Sequence, residues 1–131
     1  YGYSGSVATI LALLCTECPR ATVTYNGVKY EAATGPRGLP QGAPTSPGLS
    51  NQVARKLDKR LLGVANKLGL TYTRYADDLT VSGDAELAGK ICWLLAKVRN
   101  VARAEGFAVN EKKTRVMRRS TAQTVTGVVV N

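Results

Sequence analysis

Two short runs rich in β-branched and aromatic residues, Thr71-Tyr72-Thr73-Arg74 and Leu79-Thr80-Val81-Ser82, stand only four residues apart in this chain. Runs of that composition read as strands, and so short a connection makes them an antiparallel hairpin. The connection is Tyr75-Ala76-Asp77-Asp78. Two adjacent carboxylates at a tight turn repel one another and gain nothing from burial, unless a cation lies between them and a third partner. A divalent metal is the simplest such cation. Mg²⁺ takes few protein carboxylates and completes its octahedron with water and phosphate oxygens, which is the chemistry of phosphoryl and nucleotidyl transfer. A solvated Asp-Asp turn has the same spelling, so the surrounding sequence has to discriminate.

Charge and length narrow the field. With 18 Lys plus Arg against 9 Asp plus Glu, the 131 residues carry a formal charge of +9. That balance favours a polyanionic partner, of which nucleic acid is the commonest. The length suits one compact unit with a modest core. No apolar run reaches the roughly 18 residues a membrane helix needs, and no signal-peptide pattern opens the chain, so the expected location is the cytoplasm. Cys15 and Cys18 have the spacing of a redox or zinc pair, but there is no His and Cys92 is the only other thiol. These cysteines are therefore expected to be reduced, buried and structural.

Taken in order, Val7, Ile10, Leu11 and Leu14 form the stripe of a core-facing helix, with Ser4 or Ser6 as its cap and Pro19 beyond its end. Two alternating runs, Ala21 to Tyr25 and Val28 to Ala32, flank Asn26-Gly27, the strongest short hairpin signal. From Thr34 to Gly48 the chain holds four glycines and four prolines, a loop suited to lying against a flat substrate. Ser46 as N-cap and Pro47 at the first helical position tie that loop to a helix start, where backbone N–H groups suit phosphates. The helix carries Leu49, Val53, Leu57, Leu61, Val64 and Leu68 on one stripe and Gly69 at its end, with Arg55, Lys56, Lys59 and Arg60 elsewhere. After the acidic hairpin, Asp84 caps a second long helix with Leu87, Ile91, Leu94, Val98 and Val101 on its stripe, Trp93 off it and Gly106 at its end. The remainder reads as a strand, Thr114 to Met117, a basic turn with Arg118 and Arg119, and a second strand, Thr124 to Val130.

The order of these motifs carries a resemblance. Tyr75-Ala76-Asp77-Asp78 resembles the metal-binding box of reverse transcriptases, and Gly38-Leu39-Pro40-Gln41-Gly42-Ala43-Pro44-Thr45-Ser46-Pro47-Gly48-Leu49-Ser50-Asn51 looks like the loop-to-helix segment that precedes it in that family. Asn110-Glu111-Lys112-Lys113-Thr114 and Val125-Thr126-Gly127-Val128-Val129-Val130-Asn131 follow in the family's order. The wording is most similar to bacterial retron-type enzymes, with group II intron enzymes as the nearest competitor.

The resemblance implies an α+β fold, a ferredoxin-like polymerase palm of incomplete βαββαβ order with an extra β-hairpin. Residues 1–131 would form a partial palm: the first palm strand, which carries the remaining catalytic aspartate, would precede Tyr1, and fingers and thumb would lie outside this chain. The implied activity is RNA-directed DNA polymerisation by two Mg²⁺ ions, with Mn²⁺ as the alternative ion, on an RNA template with a DNA or RNA primer and deoxynucleoside triphosphates. Asp77 would be the principal metal ligand and Asp78 a second. Tyr75 would pack beneath the primer terminus, Pro40, Gln41, Gly42 and Ala43 would shape the nucleotide and template pocket, and Val125, Thr126 and Gly127 would approach the primer grip. Lys113 matches the lysine that protonates the leaving pyrophosphate; Lys112 is its neighbouring competitor, and Glu111 stands where retron-type enzymes often have proline. The chain alone is expected to be inactive, and unpaired sheet edges favour a homodimer. The alternatives are a palm-like RNA-binding module without catalysis and an RNA-directed RNA polymerase.

Overall fold

The computed structural model describes residues 2–84, 89–118 and 120–130. They group into two compact units, one up to Gln52 and one from Val53 onward. In chain order the elements are α1 (Gly5–Cys15), β1 (Arg20–Tyr25), β2 (Val28–Ala33), α2 (Ser46–Lys67), β3 (Thr71–Tyr75), β4 (Asp78–Ser82), α3 (Ile91–Ala104), β5 (Thr124–Val125) and β6 (Val128–Val129). The α+β class holds. Among the described residues the strands form three separate two-stranded sheets, β1-β2, β3-β4 and β5-β6.

In the first unit Ser4 is the cap of α1, its hydroxyl accepting from the Val7 N–H. The helix ends at Cys15, ahead of Pro19. The apolar stripe, expected to face a core, does not: α1 has no buried residue, and Ile10 and Leu14 stand open to solvent. The physical reason is the scarcity of other material in this unit, whose hairpin strands are exposed at all but one position. β1 and β2 pair around Asn26-Gly27, both at positive φ, in a register that runs from Arg20↔Ala33 to Tyr25↔Val28. The glycine-proline loop returns to the end of α1 through Arg37. Its Nε donates to Thr16 Oγ1, and Nη2 donates to the Leu13 and Thr16 carbonyls, satisfying acceptors that a helix end leaves open. A two-way backbone bridge between Glu17 and Gly38 extends that attachment.

The second unit holds the core. Leu57 and Leu61 of α2 pack with Val101 and Ala102 of α3, and Tyr72, Leu79, Val98, Phe107 and Val109 close around them. The buried face of α2 is Ala54, Leu57, Leu61 and Ala65, while Val53, expected on the stripe, is exposed. Small alanines flanking two leucines let neighbouring elements approach closely, which a stripe read from large residues alone overlooks. Helices α2 and α3 end alike. Gly69 and Gly106 take φ of +67° and +82°, and the N–H groups of Leu70 and Phe107 reach back to the carbonyls of Ala65 and Ala102, both at 2.9 Å. These are Schellman closures, which need a residue without a β-carbon and turn the next apolar residue onto the helix.

Four further expectations are corrected. Ser46 is the first residue of α2 rather than its cap, and its hydroxyl donates instead to the Pro40 carbonyl at 2.6 Å. Thr114 to Met117 forms no strand, and Thr124 to Val130 folds back as a hairpin because Thr126 and Gly127 both take positive φ. An extended segment needs a neighbouring strand to become one, and Thr114 to Met117 has none among the described residues. The cysteines are free but not buried: Cys15 and Cys18 are half-buried and Cys92 is exposed. Leu87, expected on the α3 stripe, lies outside the described residues, as do the groups Asp84 would cap; the described α-helix starts at Ile91, with Trp93 exposed off its stripe as expected.

With so small a core, one leucine decides much of its stability. Leu61→Ala is expected to lower the unfolding free energy by about 2–4 kcal/mol, read as a fall in the urea midpoint, whereas Leu62→Ala, at an exposed position, changes it by less than about 0.5 kcal/mol.

Candidate active site

The acidic turn is built from the sheet outward. β3 and β4 pair from Thr71↔Ser82 to Tyr75↔Asp78, so the two-residue connection is Ala76-Asp77. Asp77 therefore sits in the turn and Asp78 opens a strand. Directly opposed residues share a face, which puts Asp78 with Tyr75 on one side and Tyr72, Arg74, Leu79 and Val81 on the other. The latter side is the half-buried one, turned to the core; Tyr75, Asp77 and Asp78 are exposed. Ala76 takes φ of +50°, a region in which a side chain is strained by about 1–2 kcal/mol.

That strained turn is held by one guanidinium. Arg74 Nε and Nη2 donate to the two oxygens of Asp58 on α2, both at 2.7 Å, and Nη1 donates to the Ala76 carbonyl at 2.8 Å. The Tyr72 hydroxyl adds a 2.8 Å bond to Asp58 Oδ1. The Arg74 side chain is only 9% exposed. Its hydrogen bonds hold the Asp58 carboxyl below the usual carboxylate range despite the opposing effect of burial. Burial, and then the anionic Asp58, push the Tyr72 phenol up. Neither Asp58, which in sequence is one acid among the cations of α2, nor Arg74 stands out before folding. The one available signal is that Tyr72 and Arg74 alternate onto the face opposite Tyr75.

Asp77 and Asp78 differ from Asp58. Neither carboxylate has an ion-pair or side-chain hydrogen-bond partner among the described residues. Two exposed, adjacent, uncompensated oxygen donors fit a hard divalent cation, and they leave most of its coordination sphere to water or to other groups. Among the described residues no group of three or more His, Cys, Asp or Glu side chains is placed to hold a metal ion, so the turn offers at most these two carboxylates.

The other expected site residues are placed as follows. Asn110 organises the turn before Thr114: its side-chain oxygen accepts from the Lys112 and Lys113 N–H groups, and its carbonyl accepts from the Thr114 hydroxyl. Lys112 and Lys113 are exposed on this turn. Glu111 faces α3, where Arg99 donates to both its oxygens at 2.7 Å, drawing the carboxyl down and the guanidinium up. That fork explains an acid at a position where a proline was the family expectation. Val125, half-buried, precedes the Thr126-Gly127 turn of β5-β6. In the first unit, Pro40 and Ala43 are half-buried and Gln41 and Gly42 exposed, in a turn tied by the Ser46 hydroxyl on Pro40 and the Ser46 N–H on Ala43.

Comparison with known proteins then decides the family. The sequence model described as "Reverse transcriptase (RNA-dependent DNA polymerase)" matches residues 6–130. The chain belongs to the reverse transcriptase family. It is 50% identical over 138 aligned residues to the retron Mx162 reverse transcriptase of Myxococcus xanthus, covering 99% of this chain and 28% of that protein. It is 52% identical to the retron Mx65 enzyme of the same organism, covering 99% and 30%, and 43% identical to the Escherichia coli retron Ec86 enzyme over 71% and 28%. The resemblance to retron-type enzymes is thus borne out, and the chain spans less than a third of the length of these curated relatives.

The pairing of Asp58 gives this reverse transcriptase segment a pH signature. A carboxyl held below its unfolded value stabilises the fold above that value and loses the contribution as pH falls through the folded one. The Tm difference between the parent and Asp58→Asn is expected to be constant above about pH 5 and to shrink below about pH 4, followed by thermal unfolding at a series of pH values. A difference independent of pH down to about pH 2 would show that the ionised carboxylate does not carry the stabilisation.

Proposed function

We propose that this chain is part of an RNA-directed DNA polymerase of the retron type, a partial palm whose acidic turn contributes to two-metal nucleotidyl transfer onto a primer 3′ hydroxyl. The observation that carries this is the pair Asp77 and Asp78, uncompensated and exposed at a fixed turn, within a chain that matches the reverse transcriptase family along nearly its whole length. Asp77 and Asp78 would hold Mg²⁺, or Mn²⁺ in its place. A bound ion of this kind lowers the pKa of the attacking hydroxyl and neutralises charge on the leaving pyrophosphate. The remaining work belongs to the chain. Tyr75, on the face of Asp78, packs beneath the primer terminus; Pro40, Gln41, Gly42 and Ala43 line the nucleotide and template pocket; Val125, Thr126 and Gly127 approach the primer. Lys113 gives its proton to the pyrophosphate, a transfer that a movable exposed ammonium suits.

The substrates are an RNA template, a DNA or RNA primer and deoxynucleoside triphosphates, consistent with the +9 charge. No helix among the described residues is long and apolar enough to cross a membrane, and we place the protein in the cytoplasm. In the ferredoxin-like palm we infer, β3 and β4 lie beside a further strand that brings the third aspartate, and the chain by itself does not polymerise. Its unpaired hairpin edges pair with a second copy; light scattering of the purified chain is expected to give twice the monomer mass at micromolar concentration, and a monomer throughout would refute that pairing.

In the polypeptide encoded by the complete reading frame containing these residues, Asp77→Asn is expected to lower primer extension on an RNA template by about 10³-fold or more. Lys113→Ala should lower kcat by about 10²-fold, while Lys112→Ala stays within about threefold. Retention of activity by Asp77→Asn, or extension by the 131-residue chain alone, would overturn the corresponding statement.

A further inference from the structure

We propose that Arg74 is a positioning residue for the metal-binding turn, and that Asp58 on α2 sets its orientation. Three of its donors are divided between two jobs. Nε and Nη2 are spent on the two oxygens of Asp58, which fixes the plane of the guanidinium relative to α2. Nη1 is left pointing at the Ala76 carbonyl. That carbonyl and the Asp77 N–H belong to one planar peptide, so fixing the oxygen fixes the rotation of the peptide from which Asp77 departs. Ala76 is at positive φ with a side chain present, so the turn is not in a conformation the local sequence prefers. An outside contact has to hold it, and Arg74 is in place to do so.

The anchor is rigid. Asp58 lies one residue after Leu57 and three before Leu61, both buried in the core, and its neighbour in space, the Tyr72 hydroxyl, donates to the same oxygen that Arg74 Nε uses. The turn is thereby referenced to the helix core and not merely to its own hairpin. Lysine cannot replace arginine here, because a single ammonium has no planar fork to serve the carboxylate and the carbonyl in fixed directions. The role acts through the carboxylates of the turn, so it should appear in the chemical step and not in substrate binding. This inference rests on the assignment of Asp77 as a metal ligand proposed above.

The test uses the polypeptide of the complete reading frame, with steady-state primer extension and thermal unfolding measured on the same preparations. Arg74→Lys is expected to lower kcat by about 10- to 100-fold while KM for the deoxynucleotide and for template-primer changes less than about threefold. Asp58→Asn should show the same split to a smaller degree, since Asn supplies only one acceptor oxygen. Val101→Ala, a core change outside the site, serves as the stability control: it should lower Tm comparably and leave kcat within about twofold. If Arg74→Lys does not fold, Asp58→Asn carries the comparison against the same control. Arg74→Lys or Asp58→Asn at parental kcat, or a kcat loss equal to that of Val101→Ala at matched Tm, would overturn the positioning role. Asp77→Asn run alongside separates the two readings: activity retained there removes the metal assignment itself, whereas activity lost there and kept in both clamp variants removes the clamp alone.

Discussion

The hydrogen bonds of one guanidinium join the helix core of this chain to its acidic turn. Arg74 connects a helix whose leucines form the core with a two-residue turn that carries an exposed carboxylate. An isolated two-stranded hairpin is marginal in water, and β3-β4 is a two-stranded sheet. What makes its turn a defined object is attachment to α2, through Tyr72 and Leu79 packing on the core and through the Asp58 fork. Exposed ion pairs contribute little, but a bidentate pair with one partner nearly buried loses less side-chain freedom on forming. Its contribution is as much to direction as to energy.

The same logic separates the three carboxylates near the turn. Asp58 has its charge fully answered and is therefore structural; Asp77 and Asp78 have none of theirs answered by the described residues. Adjacent anions left uncompensated on a strained turn oppose folding, and the helix core has to offset them. A binding site for a hard cation has just this character, because a carboxylate already neutralised by arginine would bind a metal poorly. By withdrawing Arg74 into the fork with Asp58, the fold keeps a cation close to the turn while directing its charge elsewhere.

Much of this arrangement was legible in the sequence, wherever local chemistry decides. Asn26-Gly27 and the β-branched runs around Ala76-Asp77 announced their hairpins, and Gly69 and Gly106 their helix ends, because turns and caps depend on residues adjacent in the chain. Burial was less legible. The α1 stripe looks core-facing, yet which surface covers it is not written in the stripe itself, and the described elements of its own unit leave it exposed. Thr114 to Met117 has strand composition and, among the described residues, lacks a strand partner, a tertiary condition that overrides propensity. At the site, the motif residues were visible as a string, while the Asp58 fork joins positions 16 residues apart and the Arg99–Glu111 fork joins positions 12 apart. Pairings of that kind appear only when helix and strand are folded together.

The second fork repeats the first at a different place. Glu111 heads the turn that displays Lys112 and Lys113, and Arg99 binds it from α3 much as Asp58 binds Arg74 from α2. The acidic turn and the turn that follows Asn110 are thus each tied to one of the two core helices by an arginine–carboxylate fork. The Arg99–Glu111 pair is open to solvent and Asp58 keeps part of its surface in water, so neither pair builds the core. What they supply is registry: planar, two-point contacts that resist rotation where a single hydrogen bond would not. A palm that must hold reacting groups within a fraction of an ångström needs that resistance at its turns, since helices joined by leucine packing fix the position of an element far better than the orientation of a loop at its end.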